Sequence, residues 1–134
     1  MAYSGFLIKV GDYTIPFKFM KAESYQVTRN VQDLDSYRDA NGKLHRTALE
    51  HYVHKAEFEA PAMLTNTEVS ELMSNIRRNY TVPIERKALV TLYVPEFDTY
   101  ETQEMYMPDI PFQIYGTYNN KLTYNSFRLA FIGY

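Results

Sequence analysis

Lys87-Ala-Leu-Val-Thr-Leu-Tyr-Val94, Pro95-Glu-Phe-Asp98 and Thr99-Tyr-Glu-Thr-Gln-Glu-Met-Tyr-Met107 form the stretch on which the fold class turns. The first eight residues are dense in β-formers. Pro95 to Asp98 has turn chemistry. The return arm alternates, with Tyr100, Thr102, Glu104 and Tyr106 opposing Glu101, Gln103, Met105 and Met107. Two such runs around a short turn predict an antiparallel hairpin.

Downstream, Pro108-Asp-Ile-Pro111 interrupts the pattern. Phe112 to Tyr115 reads as a short strand, Gly116 to Leu122 (with Asn119-Asn120) as a loop, and Ser126 to Ile132 as a strand with Phe127, Leu129 and Phe131 on one face. Upstream lies the one helix. Thr65 caps it, Glu68 completes a capping box, and Val69, Leu72, Met73 and Ile76 make an apolar stripe over about residues 66–79. Acids stand near its start and Arg77 and Arg78 near its end, the favourable order for the helix dipole.

Before the helix, a strand is expected from about Leu49 to Ala60, with Phe58 inward and Glu57 and Glu59 in water. Another is expected over Glu23 to Arg29. Gly11-Asp12 turns a hairpin between Phe6–Val10 and Tyr13–Ile15. The sum is seven or eight strands, one helix and no βαβ alternation. The expected fold is mainly β: an antiparallel β-sandwich or barrel with one flanking α-helix, in a single domain over 1–134.

The 134 residues suffice for a core without staples. No cysteine is present, so disulfides and thiolate chemistry are excluded. Fourteen bases and 16 acids are spread along the chain for a net charge of -2, which gives no basic footprint for nucleic acid. No apolar run reaches the length of a membrane span, and the N-terminus lacks the pattern of a secretory signal. Thirteen Tyr and 8 Phe suit a half-buried sheet and, at its margins, protein contacts.

Catalytic chemistry finds little footing. His51-x-x-His54 lies on an expected strand, where residues three apart face opposite sides, so the three histidines (His45, His51, His54) read as surface or edge residues and His45 as unpartnered. Gly42 at the sixth position of a calcium loop would make Tyr37 and Ala48 the end ligands, which fails. A calcium site from Asp33, Asp35 and Asp39 has no other support. Glu57/Glu59, Glu101 and Glu104 are the candidate carboxylate pairs, but exposed strand faces carry such residues routinely, and the solvated-face reading wins. Nucleophile elbow and phosphate loop are both missing. We expect no enzyme, cofactor or metal. The tyrosines at 80, 93, 100, 106, 115, 118 and 124 leave stacking on sugar and cross-strand pairing both open.

One polar segment remains, Asp33-Leu-Asp-Ser-Tyr-Arg-Asp-Ala-Asn-Gly-Lys-Leu-His-Arg46. Asn41-Gly42 marks a turn, with Asp39 bonding nearby amides, so 33–46 is expected to project as a loop or hairpin. Asp33, Asp35, Tyr37, Arg38, Asp39, Lys43 and Arg46 are its candidate protein contacts.

This segment, together with Lys55-Ala-Glu-Phe58, Tyr106-Met-Pro-Asp-Ile110 and Phe131-Ile-Gly-Tyr134, resembles a family of small phage and prophage tail-region proteins of phages of Gram-positive bacteria. The resemblance implies a structural virion component, a tail-tube-like or tail-tip (baseplate) subunit. Its partners would be itself, as a ring-forming homo-oligomer, and other tail proteins. It would be located in the virion tail, and in the host cytoplasm during assembly. The alternative is a tail-tip module that binds host-surface carbohydrate.

Overall fold

The computed structural model describes residues 2–134, the side chain of His51 excepted. In chain order the described residues form β1 (Ile8–Val10), β2 (Tyr13–Thr14), β3 (Gln26–Arg38), β4 (Leu44–Glu59), β5 (Leu64–Thr65), α1 (Asn66–Arg78), β6 (Lys87–Val94), β7 (Thr99–Tyr106), β8 (Ile114–Tyr118), β9 (Lys121–Tyr124) and β10 (Arg128–Gly133). Seven strands make an antiparallel sheet in the order β2-β1-β6-β7-β10-β4-β3. The other three make a small sheet, β5-β9-β8. β2 and β3 lie at opposite ends of the large sheet, so it is sandwich-like and not a closed barrel.

Side-chain alternation explains the core. Ala88, Val90, Leu92 and Val94 of β6 are buried, and so are Ile8 and Val10 of β1, Leu129 and Phe131 of β10, and Ala56 and Phe58 of β4. These period-2 sets put one face of the sheet in the interior. Helix α1 delivers Val69, Leu72 and Ile76 to the same apolar cluster. Its capping box forms: Thr65 Oγ1 accepts from the Glu68 amide, and Glu68 accepts from the Thr65 amide. At its other end, Asn79 Oδ1 accepts from the Asp12 amide in the β1–β2 turn. Gly11 there has φ 57°, and a Cβ on it would meet that Asn79 amide at 2.5 Å. A glycine is required for the turn to sit so close to the helix end.

The β6–β7 hairpin pairs from Lys87↔Tyr106 to Val94↔Thr99, as the sequence predicts. Several expectations need correction. β3 runs on to Arg38 and β4 begins at Leu44, so most of the polar segment is strand and only 39–43 is a turn. The expected loop 116–122 is instead the β8–β9 hairpin, turned by Asn119 (φ 49°) and Asn120 (φ 62°). Two adjacent positive φ values are the signature of a tight hairpin turn, and Asn tolerates them. Glu57 and Glu59 are half-buried and engaged, Glu57 by Arg128 and Glu59 by the Ser126 hydroxyl.

Candidate functional site

The polar segment is the outer part of a long ribbon. β3 and β4 stay paired from Gln26↔Glu57 to Arg38↔Leu44, with two register shifts. β10 covers β4 only from Lys55 to Glu59. Beyond that, among the described residues, the two strands run on without a third, and no residue from 30 to 50 is buried. The free arm reaches on the order of 25 Å at the usual rise per residue. A two-stranded ribbon with both faces in water is marginally stable on its own.

Local bonds hold its tip. Asp39 Oδ1 accepts from the amides of Asn41 and Lys43, both at 3.0 Å. Asp39 Oδ2 lies 2.9 Å from His45 Nε2. The histidine bond and the Lys43 and Asn41 amides hold the Asp39 carboxyl below the usual aspartate range. Arg38 donates to the Gly42 carbonyl at 3.0 Å, and Gly42 has φ 82°. Farther down, Arg46 Nε donates to Asp33 Oδ1 at 2.7 Å and lowers that carboxyl too. Tyr37 stacks on His45, with ring centres 4.8 Å apart. His45 therefore has partners, contrary to the expectation.

Asp33, Arg38, Asp39 and Arg46 thus spend their charge inside the arm. Asp35, at φ 52° in a bulge, and Lys43 remain exposed at the surface. More telling are the apolar side chains in water: Leu34 (54% exposed) and Tyr37 (59%), with Val31, Leu44 and Leu49. Apart from Tyr37, the sequence reading passed over them. Their signal is aliphatic residues recurring within an otherwise polar hairpin, which solvation alone does not explain.

The arm's root is polar on the face that elsewhere makes the core. Register puts Arg29 opposite His54 and Glu101 opposite Leu92. His54 is only 6% exposed, which corrects its expected surface position. Its Nε2 makes a very close contact with Glu101 Oε2. Gln103 Oε1 accepts from the His54 amide at 3.1 Å and lies 3.1 Å from His54 Nδ1, while Gln103 Nε2 donates to the Tyr52 carbonyl at 2.9 Å. The Arg29 guanidinium lies 3.6 Å from the centre of the Tyr52 ring and approaches Glu101 at 3.8 Å. The strand reading of His51-x-x-His54 lies partly outside the described residues, because the His51 side chain is among those not described.

The other carboxylate candidates are dispersed: Glu104 pairs with Lys87 at 3.0 Å, and Glu57 and Glu59 have the partners named above. Among the described residues no three His, Asp or Glu side chains converge as a metal site would need. A cleft of about 550 Å³ opens by the end of α1, lined by Met73, Arg77, Tyr80, Arg86, Ile110 and Phe112. Arg86 there is paired with Asp109 at 2.7 Å. Tyr93 and Tyr100 pair across the β6–β7 ladder with ring centres 5.5 Å apart. Tyr115 and Tyr118 on β8 are exposed.

The family model described as "Family of unknown function (DUF6711)" matches residues 1–134. No curated protein is similar in sequence at a significant level. Among solved structures, a chain in the tail of an empty gene transfer agent (GTA) particle with C6 symmetry is 17% identical, with a TM-score of 0.48, over 99% of this chain and 95% of that one. A chain of the native GTA virion gives the same figures, 17%, 0.48, 99% and 95%. A chain of the sheath–tube complex of an extracellular contractile injection system is 14% identical, with a TM-score of 0.40, over 96% and 83%.

Proposed function

We propose that the chain, which belongs to this family of unknown function (DUF6711), is a non-enzymatic structural subunit of a bacteriophage tail, as a tube-like or tail-tip component, and that it assembles with its own copies through the β3–β4 arm. The sequence resemblance to tail-region proteins supports the setting. The single observation that supports assembly is the arm itself: a ribbon that has no third strand beside it among the described residues from residue 30 to 50, with Val31, Leu34, Tyr37, Leu44 and Leu49 set in water. Burying such a ribbon against a neighbour gives it the third layer it lacks.

An arm that docks on a different surface of the next copy makes a heterologous contact. Such contacts close into rings when the rotation permits. Light scattering after size-exclusion, with negative-stain images, tests this. The expected result is a concentration-dependent ring or stack that Leu34→Ser/Tyr37→Ser reduces to monomer with its unfolding transition kept. A wild-type chain that stays monomeric at high concentration, and is missing from virions, overturns the reading.

A further inference from the structure

We infer that the cleft at the end of α1 is the socket for the arm of a second copy. It takes the β3 bulge, with Leu34 and Tyr37 against its apolar wall and Asp35 on Arg77. The inference rests on the reading that the arm joins copies, and it adds where the arm goes.

Register excludes the chain's own arm. Thr28, Lys55, Ile132 and Tyr106 lie in one row across β3, β4, β10 and β7. One residue on, the Arg29 guanidinium lies 5.2 Å from the centre of the Phe97 ring, in the β6–β7 turn. β4 goes the same way, with its Tyr52 carbonyl bonded by Gln103. The arm therefore leaves past the turn end of the β6–β7 hairpin. The cleft lies at the other end. Arg86 precedes the first pair of that ladder, Lys87↔Tyr106, Met107 follows it, and both residues line the cleft. The eight residues of β6 set the two ends roughly 25 Å apart. Plug and socket at opposite ends make a head-to-tail contact between copies.

The two surfaces match in polarity. Pairing slips between Leu34 and Tyr37, which sets Asp35 between side chains that are 54% and 59% exposed. The cleft, about 550 Å³, offers them Met73, Ile110 and Phe112. Ile84, in the turn between its lining residues Pro83 and Arg86, is 93% exposed. Joining the two takes apolar surface of both partners out of water.

They match in charge as well. Asp33 and Asp39 have partners within the arm, whereas Asp35 has no hydrogen bond or ion pair among the described residues. In the cleft, Arg86 is paired with Asp109 at 2.7 Å. Arg77 donates to the Ser74 hydroxyl at 3.3 Å and has no carboxylate partner among the described residues. One uncommitted acid on the plug thus answers one uncommitted base in the socket. Lys43, the arm's exposed cation, lies in the 39–43 turn beyond the bulge.

Charge exchange tests the pairing, because both residues are exposed. Asp35→Lys and Arg77→Glu should each weaken assembly about tenfold or more in light scattering, by setting like charges together. Both changes in one chain should restore it. A double variant no better than the worse single one overturns the inference, and so does an Arg77→Glu chain that assembles like wild type. The chain has no cysteine, which permits a second measurement on milder variants. Asp35→Cys and Arg77→Cys chains, mixed and treated with oxidised glutathione, should give chiefly the mixed disulfide dimer. Asp35→Cys chains linked only to each other would put arm on arm and sink the socket. If wild type assembles, Leu34→Ser/Tyr37→Ser stops it and the cleft variants do not, the arm reading stands and the socket falls. A wild-type chain that never assembles sinks both.

Discussion

Gln103 is a side chain doing the work of a strand. β10 separates β4 from β7 in the sheet but ends at Gly133, and past that point the Gln103 amide bridges the gap between the His54 amide and the Tyr52 carbonyl. Gln103→Ala leaves both groups unpaired, so it should cost about 1–3 kcal/mol in denaturant unfolding. Gly133→Ala should have the same direction, because its Cβ would lie 2.3 Å from Gln103 Oε1 and 3.2 Å from the His54 nitrogen. At the arm's tip, Asp39 is the titrating residue. Its carboxyl is held below the usual range by His45 and two backbone amides. A depressed folded-state carboxyl contributes stability that is full above the unfolded value, about pH 4, and is lost as pH falls through the lower folded value. Amide exchange at Asn41 and Lys43 should therefore rise in strong acid relative to the core. Arg38→Ala/Asp39→Ala should loosen the tip and weaken assembly with the core transition retained, since exposed charges contribute little to global stability. A chain unfolded by that pair would show that the arm is part of the core.

At the scale of the element, α1 illustrates a local code that tertiary structure obeyed. Cap, stripe and charge order all lie within the fourteen residues from Thr65 to Arg78, and the helix forms over Asn66–Arg78 with Val69, Leu72 and Ile76 buried. Leu72 is fully buried, so Leu72→Ala should cost about 2–5 kcal/mol, read from a denaturant melt. Thr65→Ala should cost about 1 kcal/mol through its cap. β8–β9 illustrates a local code misread. Asn119-Asn120 carries the positive φ of a hairpin turn, but Gly116 and the short polar flanks hid the part of β8 beyond Tyr115 and the whole of β9. The arm was half legible. Asn41-Gly42 located the turn, while the length of β3 and β4 did not show, because a ribbon wet on both faces has no reason to alternate cleanly.

For the whole molecule, the proposed assembly predicts that removing the arm's apolar side chains changes oligomeric state more than stability. Val31→Ser/Leu49→Ser should leave the monomer's melting temperature nearly unchanged and shift the scattering mass downward, since neither residue is in the buried cluster. The amino-acid order by itself determined what periodicity and capping encode: an antiparallel, mainly β chain, the β6–β7 hairpin, and a helix with its start and its buried face. These depend on neighbours within one strand pair or a few helical turns. Only the tertiary structure decided which strands lie side by side across fifty residues or more, and so where β10 stops short of covering β4. That shortfall frees the arm and opens the gap that Gln103 fills. It also brings His54 and Glu101, 47 positions apart, into contact. The alternation of β7 put Glu101 and Gln103 on the face of Met105, where a strand pattern reads as core. Polar residues stay on that face because long-range neighbours supply their partners, and no local pattern carries that information.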